Sequence, residues 1–292
     1  MAALTLGPLL SQSWSSFRSS LKLVLIGAVI FGTLIAITQG LLQKDVQRGT
    51  GALMEGLGID PARLEELGRL AEAGDEAALQ EMMDGLGGIN QELEGMTEEE
   101  QAAFVTGKFL GAFGTMVPAL SIGALISFLI SAIALTYFSI LALKDVKDPA
   151  VIARQIPGLI LPMIGLMIWI FLRSFVWLFV IPAIVLGPRF IASIVYLVRD
   201  GKGVMESARL SYGATAGYWG KIWGNGIVLA VVLFVVSLVL GMVVGIIGAV
   251  SAPVGAWVMQ MVQQGISAFA ILFSLRLALT IMENPKSVPV KQ

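Results

Sequence analysis

FVWLFVIPAIVLGPRFIASIVYLVRDGKGVMESARLSYGATAGYWGKIW, residues 175–223, is an apolar run that meets two prolines and an arginine and then empties into a basic, aromatic-rich loop. It closes a longer stretch, Ile156 to Val198, in which Arg173 and Arg189 are the only charges. As one straight helix that stretch would reach about 65 Å, twice the ~30 Å hydrocarbon core of a bilayer. Two readings divide it: a helical hairpin with its outer corner at Arg173 and Ser174, or one long helix kinked at Pro182 and Pro188. Trp169 and Trp177 bracket Arg173 four residues to either side, the pattern of an interfacial aromatic belt around a turn.

Charge favours the hairpin. Between Leu42 and Leu110 there are 15 acidic and 5 basic residues, and the rest of the chain carries 14 basic and 5 acidic ones. Basic connections stay in the cytoplasm, which applies to the loop with Lys144, Lys147 and Arg154 and to the segment with Arg199, Lys202, Arg209 and Lys221. With the N-terminus inside and the acidic loop outside, only a hairpin returns both basic loops to one side. The expected fold is therefore an all-α, polytopic membrane bundle of about six transmembrane helices, with both termini cytoplasmic and a mostly helical acidic loop outside.

Composition agrees with that class. The chain is 57% hydrophobic and 13% charged, with a mean hydropathy of +0.86, against about 45–50% apolar and about 25% charged for a soluble domain. It has no Cys and no His. Disulfides, thiolate nucleophiles, imidazole bases and the commonest zinc and haem ligands are thereby removed.

In chain order, residues 1–20 read as a cytoplasmic amphipathic lead-in with Trp14, Phe17 and Arg18, and 21–42 as the first transmembrane helix. That apolar run is longer than the roughly 7–15 residues of a signal-peptide core and no small-x-small site follows it, so it reads as an anchor. Residues 43–109 form the acidic extracytoplasmic loop. Within it Asp60-Pro61 starts a helix that stops at Gly74, a second short helix runs from Glu76 to about Asp84, and Thr97 with Glu100 makes a capping box for a third that runs on into the membrane. Glu98, Glu99 and Glu100 could bind a divalent cation, but a solvated first helical turn accounts for them. Residues 110–282 form the membrane bundle, with Pro118 marking a kink and basic cytoplasmic loops at 144–155 and 199–221. Gly226 to Val250 and Ala256 to Met282 are its last two helices, joined by an SAPVG turn, and 283–292 is a cytoplasmic tail.

The candidate functional residues are few. Arg189 is either an interfacial arginine that snorkels after Pro188 ends the span, which is favoured, or a buried one partnered by lipid phosphate. Arg173 is a second candidate lipid or anion contact. Gln260, Gln263, Gln264 and Ser267 fall on one face of the last helix and should point into the bundle as interhelical glue or as a polar lining. Gly32, Gly123, Gly241 and Gly245 sit on small-residue stripes that let helices approach closely.

No acidic residue lies inside any expected span, which disfavours a proton- or sodium-coupled carrier. No nucleotide-binding loop, GxSxG or acid pair is present, so no catalytic residue, metal or cofactor is expected and the chain is not read as an enzyme. The expected partners are membrane lipids with anionic head groups at the cytoplasmic face, and no nucleic acid.

Several motifs carry a resemblance. Pro182, Arg189, the Asp200-Gly201 turn, then Ser207, Arg209 and Ser211 ahead of Gly217 and Trp219 are similar to the bacterial YciC-like inner-membrane proteins, and more loosely to the membrane domain attached to some glycerophosphodiester phosphodiesterases. SWSSFRSSLKLVLI, MTEEEQ and ISAFAILFSLRLAL extend the resemblance over most of the chain. It implies a multi-pass inner-membrane protein of the cell envelope and supplies no catalytic residues. The long acidic loop and Pro188 before Arg189 depart from the pattern. The function this suggests is non-catalytic, through lipid or partner-helix contacts, with a transporter or channel for a lipid or small anion as the alternative.

Overall fold

A computed structural model describes residues 5–56, 60–72, 74–81, 96–144, 146–175 and 187–284. They are helical, with no strand among them. In order come α1 (Leu6–Ser19), α2 (Leu21–Gly56), α3 (Pro61–Glu72), α4 (Glu98–Leu143), α5 (Pro149–Phe175), a 3-10 turn (Gly187–Phe190), α6 (Ser193–Val198), α7 (Val204–Ala214), α8 (Trp219–Val250) and α9 (Ala252–Glu283). Contacts divide the chain into two compact units, one of residues up to 36 with those from 127 onward, the other of residues 37–126.

Five helices among the described residues are long and apolar enough to cross a membrane: Leu21–Arg48, Leu120–Leu143, Pro149–Arg173, Trp219–Val250 and Ala252–Glu283. The shortest has 24 residues, or about 36 Å of helix, which spans the core. α8 is apolar on every face, with Met242, Ile246 and Val250 more than 70% exposed, a surface suited to lipid and unsuited to water.

The sixth expected span is described only at its end. Its first residues, with Pro182 and Trp177, lie outside the described residues. Its last part, 187–198, is a 3-10 turn that contains Pro188, followed by a six-residue helix. α5 also runs past the expected corner, to Phe175. The doubling back is nonetheless present: the Phe190 ring meets Trp169 edge-on at 5.2 Å, and a Cβ at Gly165 would touch Val204 at 3.5 Å. Higher numbers on one strand of chain meet lower numbers on the other, so 190–204 passes antiparallel along α5.

Local signals explain the helix ends. The Asp60 and Asp148 carboxylates accept the N–H groups of Ala62 (2.9 Å) and Ala150 (2.8 Å), each aspartate capping a helix that begins with proline. Glu100 accepts from Thr97 N–H at 2.8 Å and Glu100 N–H donates to Thr97 Oγ1, closing the expected capping box. These bonds from Thr97 hold the Glu100 carboxyl below its ordinary range. α4 is continuous through position 118, and α5 carries Pro157 and Pro162 without ending.

Side chains in the first unit interlock around α2. Phe31, Tyr137 and Phe138 pack edge-on in a mutual cluster, and the Tyr137 hydroxyl donates to the Leu23 carbonyl at 2.8 Å. A Cβ on Gly27 would stand 2.7 Å from the Tyr137 ring, so glycine there makes the seat for that ring. Trp257 Nε1 donates to Thr33 Oγ1 at 2.9 Å, tying α9 to α2. α1 docks lengthwise on the C-terminal half of α9: Leu9 is buried with Phe273, Leu277 and Ile281, Arg276 donates to Gln12, and Phe17 meets Phe269.

The four glycines singled out for packing behave differently. A Cβ on Gly32 would lie 2.9 Å from the Met261 backbone nitrogen, and one on Gly123 would collide with Leu42. Gly241 has only the Met259 methyl at 3.7 Å and Gly245 has nothing within 4 Å, so neither marks a tight helix contact. Gly255, at 2.9 Å from Gly248 N by the same measure, is the close approach in the α8–α9 hairpin. Gly32→Ala should therefore lower stability by about 1–3 kcal/mol through overpacking, whereas Gly245→Ala should be neutral or gain roughly 0.5–1 kcal/mol from helix propensity. Thermal unfolding of both variants in detergent is the check, and equal shifts would contradict the assignment.

Candidate functional site

α7 begins after Gly201, which has φ +64°, a left-handed conformation that glycine adopts without strain. It ends ahead of Gly217, at φ +76°. Along its inner face Ser207, Ser211 and Thr215 recur every fourth residue and are fully buried. Each hydroxyl reaches main chain. Ser211 Oγ donates to the Arg189 carbonyl at 2.7 Å and accepts the Ala192 N–H at 3.1 Å. Thr215 Oγ1 lies 3.2 Å from the same Arg189 carbonyl and 2.8 Å from that of Ser211, and Ser207 Oγ donates to the Lys202 carbonyl. Two of these groups, the Arg189 carbonyl and the Ala192 N–H, lie at and just after the 3-10 turn, where main chain in an apolar surrounding needs partners from elsewhere.

The latch holds Arg189 by its backbone and leaves its side chain to be placed by α7. The guanidinium carbon sits 4.8 Å from the centre of the Tyr212 ring, a cation–π distance, and one terminal nitrogen is 3.5 Å from the Tyr212 carbonyl. Its Nε is buried with no hydrogen-bond partner. Among the described residues no carboxylate pairs with it. Asp200 is taken by Arg199 at 2.7 Å and Glu206 by Lys202 at 3.0 Å. The Arg199 guanidinium is raised further above its ordinary range by the Asp200 hydrogen bond.

More basic residues surround the latch in sequence, with Arg209 and Lys202 exposed and Lys221 half-buried. The floor below is apolar: Ala192 and Val195 pack on Leu275 and Ala278 of α9. Tyr218, at the start of α8, donates to the Asn284 carbonyl just past α9, so both ends of the α8–α9 pair are fixed beside the latch.

Arg173 is not part of this cluster. Its guanidinium lies 6.0 Å from the ring of its own Trp169, and its side chain is exposed. The glutamine stripe also departs from expectation: Gln263 and Ser267 are exposed and Gln260 and Gln264 half-buried, so the stripe does not line the interior. It continues upward, at helical spacing, the row of Ile271, Leu275 and Ala278 on which α6 packs. Pro188 is buried within the 3-10 turn, and Pro182 lies outside the described residues.

The hydroxyl row is what residue-type reasoning passes over. Ser207 and Ser211 enter the sequence reading only through a family resemblance, and Thr215 not at all. The available signal is the four-residue spacing of three small hydroxyl residues on a short helix next to a proline-broken run. The chain matches no family model, no curated protein and no solved structure.

The paired substitution Ser211→Ala with Thr215→Ala leaves the Arg189 carbonyl without a donor and should cost about 1–3 kcal/mol. Hydrogen exchange of the amides at 190–195 reads this locally: protection should fall there and stay unchanged in α8. A uniform loss of protection would contradict the latch.

Proposed function

We propose that this chain is a non-catalytic, multi-pass protein of the bacterial cell inner membrane that acts by holding anionic phospholipid at its basic end, with Arg189 as the phosphate contact. The observation that carries the reading is a half-buried guanidinium seated on Tyr212 with no carboxylate partner among the described residues. At a membrane surface the abundant anion that matches a guanidinium fork is phosphate. Exposed Arg209 adds positive charge that draws acidic head groups within a Debye length. The resemblance to the YciC-like proteins points to the same class and supplies no reaction.

The alternative is a transporter or channel for a lipid or small anion. It would need a polar lining that continues from Arg189, and the candidate lining, Gln260 to Ser267, faces outward in part. Lipid holding is therefore the reading adopted.

Arg189→Leu separates the two roles of this residue, because the latch grips its carbonyl and not its side chain. Purified in nanodiscs of phosphatidylglycerol and phosphatidylcholine, the variant should melt as the parent does and lose co-purifying phosphatidylglycerol. The expected loss of retention is about 10- to 100-fold, from a charge-assisted hydrogen bond of about 1.5–3 kcal/mol. Equal phosphatidylglycerol retention in native mass spectrometry would overturn the reading.

Orientation is part of the same proposal: both termini and the loops 144–155 and 199–221 in the cytoplasm, supported by their basic excess and by the antiparallel return along α5. The chain has no cysteine, so Lys202→Cys and Arg173→Cys each create a single label site. An impermeant maleimide should reach position 173 in intact cells and position 202 only after permeabilisation. Labelling of position 202 from outside would refute this orientation.

A further inference from the structure

On the side of the bundle formed by α1, α2, α8 and α9 runs a groove of about 610 Å³. Trp14, Phe17, Ala28, Val236, Gly265 and Phe269 are among the residues that line it, and every lining residue is apolar or glycine. We infer that this groove is a binding site for one acyl chain of an anionic membrane phospholipid, a site distinct from the phosphate contact proposed at Arg189.

Three observations select that occupant. The groove walls belong to three helices long and apolar enough to span a bilayer, so the medium that fills it is hydrocarbon; an empty groove of this size would forfeit dispersion contacts along its whole lining. A second helix does not fit, because a helix is 10–12 Å across and three turns of it displace well over ~1,000 Å³, whereas a single hydrocarbon chain is a few ångströms wide.

The third observation is charge. Trp14 is 58% exposed at the α1 end, where an indole ring favours the head-group level. Arg18 follows Trp14 by one helical turn and Lys22 precedes Leu25, another lining residue, by one turn; both cations are exposed. They stand where a lipid phosphate would be met as its chain enters the groove.

Retention here does not come from the hydrophobic effect, since lipid outside the groove is equally apolar. It comes from the concave surface, which gives one chain contacts on several sides where annular lipid has one. The inference uses the membrane class of the chain and not Arg189, so either lipid contact can fail alone.

Gly265 supplies a clean test, because a Cβ built there meets nothing within 4 Å: a side chain can be added toward the groove without collision. The full chain in nanodiscs containing phosphatidylglycerol with a diazirine in its acyl chain would be photolysed and the crosslinked peptides mapped. The parent should label residues 24–29 and 258–269 several-fold more than the lipid-facing 242–246, and more from phosphatidylglycerol than from a phosphatidylcholine probe. Gly265→Phe should remove the groove label and leave that at 242–246, with Gly265→Ala behaving as the parent. Should the phenylalanine variant fail to fold, Val236→Trp fills the same space from α8. In an Arg189→Leu background the groove label should persist. Groove labelling no stronger than that of 242–246, no preference for the anionic probe, or undiminished labelling in the filled variant would each overturn the inference.

Discussion

An apolar surrounding offers a peptide group no water, and at the Arg189 carbonyl side chains from another helix meet that need. Elsewhere the long helices meet it internally, each N–H reaching the carbonyl four residues before. Gly187–Phe190 is instead a single 3-10 turn that contains a proline. Ser211 and Thr215, from a different helix, then take over the exposed main-chain groups. The position of α7, the return of the chain along α5 and the placement of the Arg189 side chain all follow from that substitution of side-chain for main-chain bonding.

The same site holds a cation whose chemistry is incomplete within the described residues. Tyr212 receives the face of the guanidinium and its carbonyl lies 3.5 Å from one terminal nitrogen, while the nearby acids are spent on Arg199 and Lys202. Exposed ion pairs of this kind add little stability. Their consequence is electrostatic: they pair two of the loop's own cations and leave no carboxylate among the described residues on Arg189. The groove beside α1 is lined by apolar residues and glycine alone.

Much of this was legible in residue order, for definite reasons. Long apolar runs give the five spanning helices, since a stretch of twenty or more apolar residues has few other stable forms. Asp before Pro and Thr97 with Glu100 mark helix starts because capping is local chemistry, complete within four residues. The small-residue stripes were legible only as possibilities. Gly32 and Gly245 look alike in sequence, yet one lies against the Met261 backbone and the other against nothing within 4 Å, because periodicity gives a face and does not say what lies opposite.

Sequence alone determined the class, five apolar runs of spanning length and the crowding of basic residues into two connections, all of which follow from composition and from interactions between near neighbours. Tertiary structure decided that α1 docks along α9, that the glutamine row faces partly outward, and that residues 187–198 form a turn and a short helix latched by α7. Those outcomes depend on hydrogen bonds between residues about 20 or more positions apart, such as Ser211 to Arg189 and Trp257 to Thr33. No local pattern encodes them, because each exists only once two distant segments have been packed side by side.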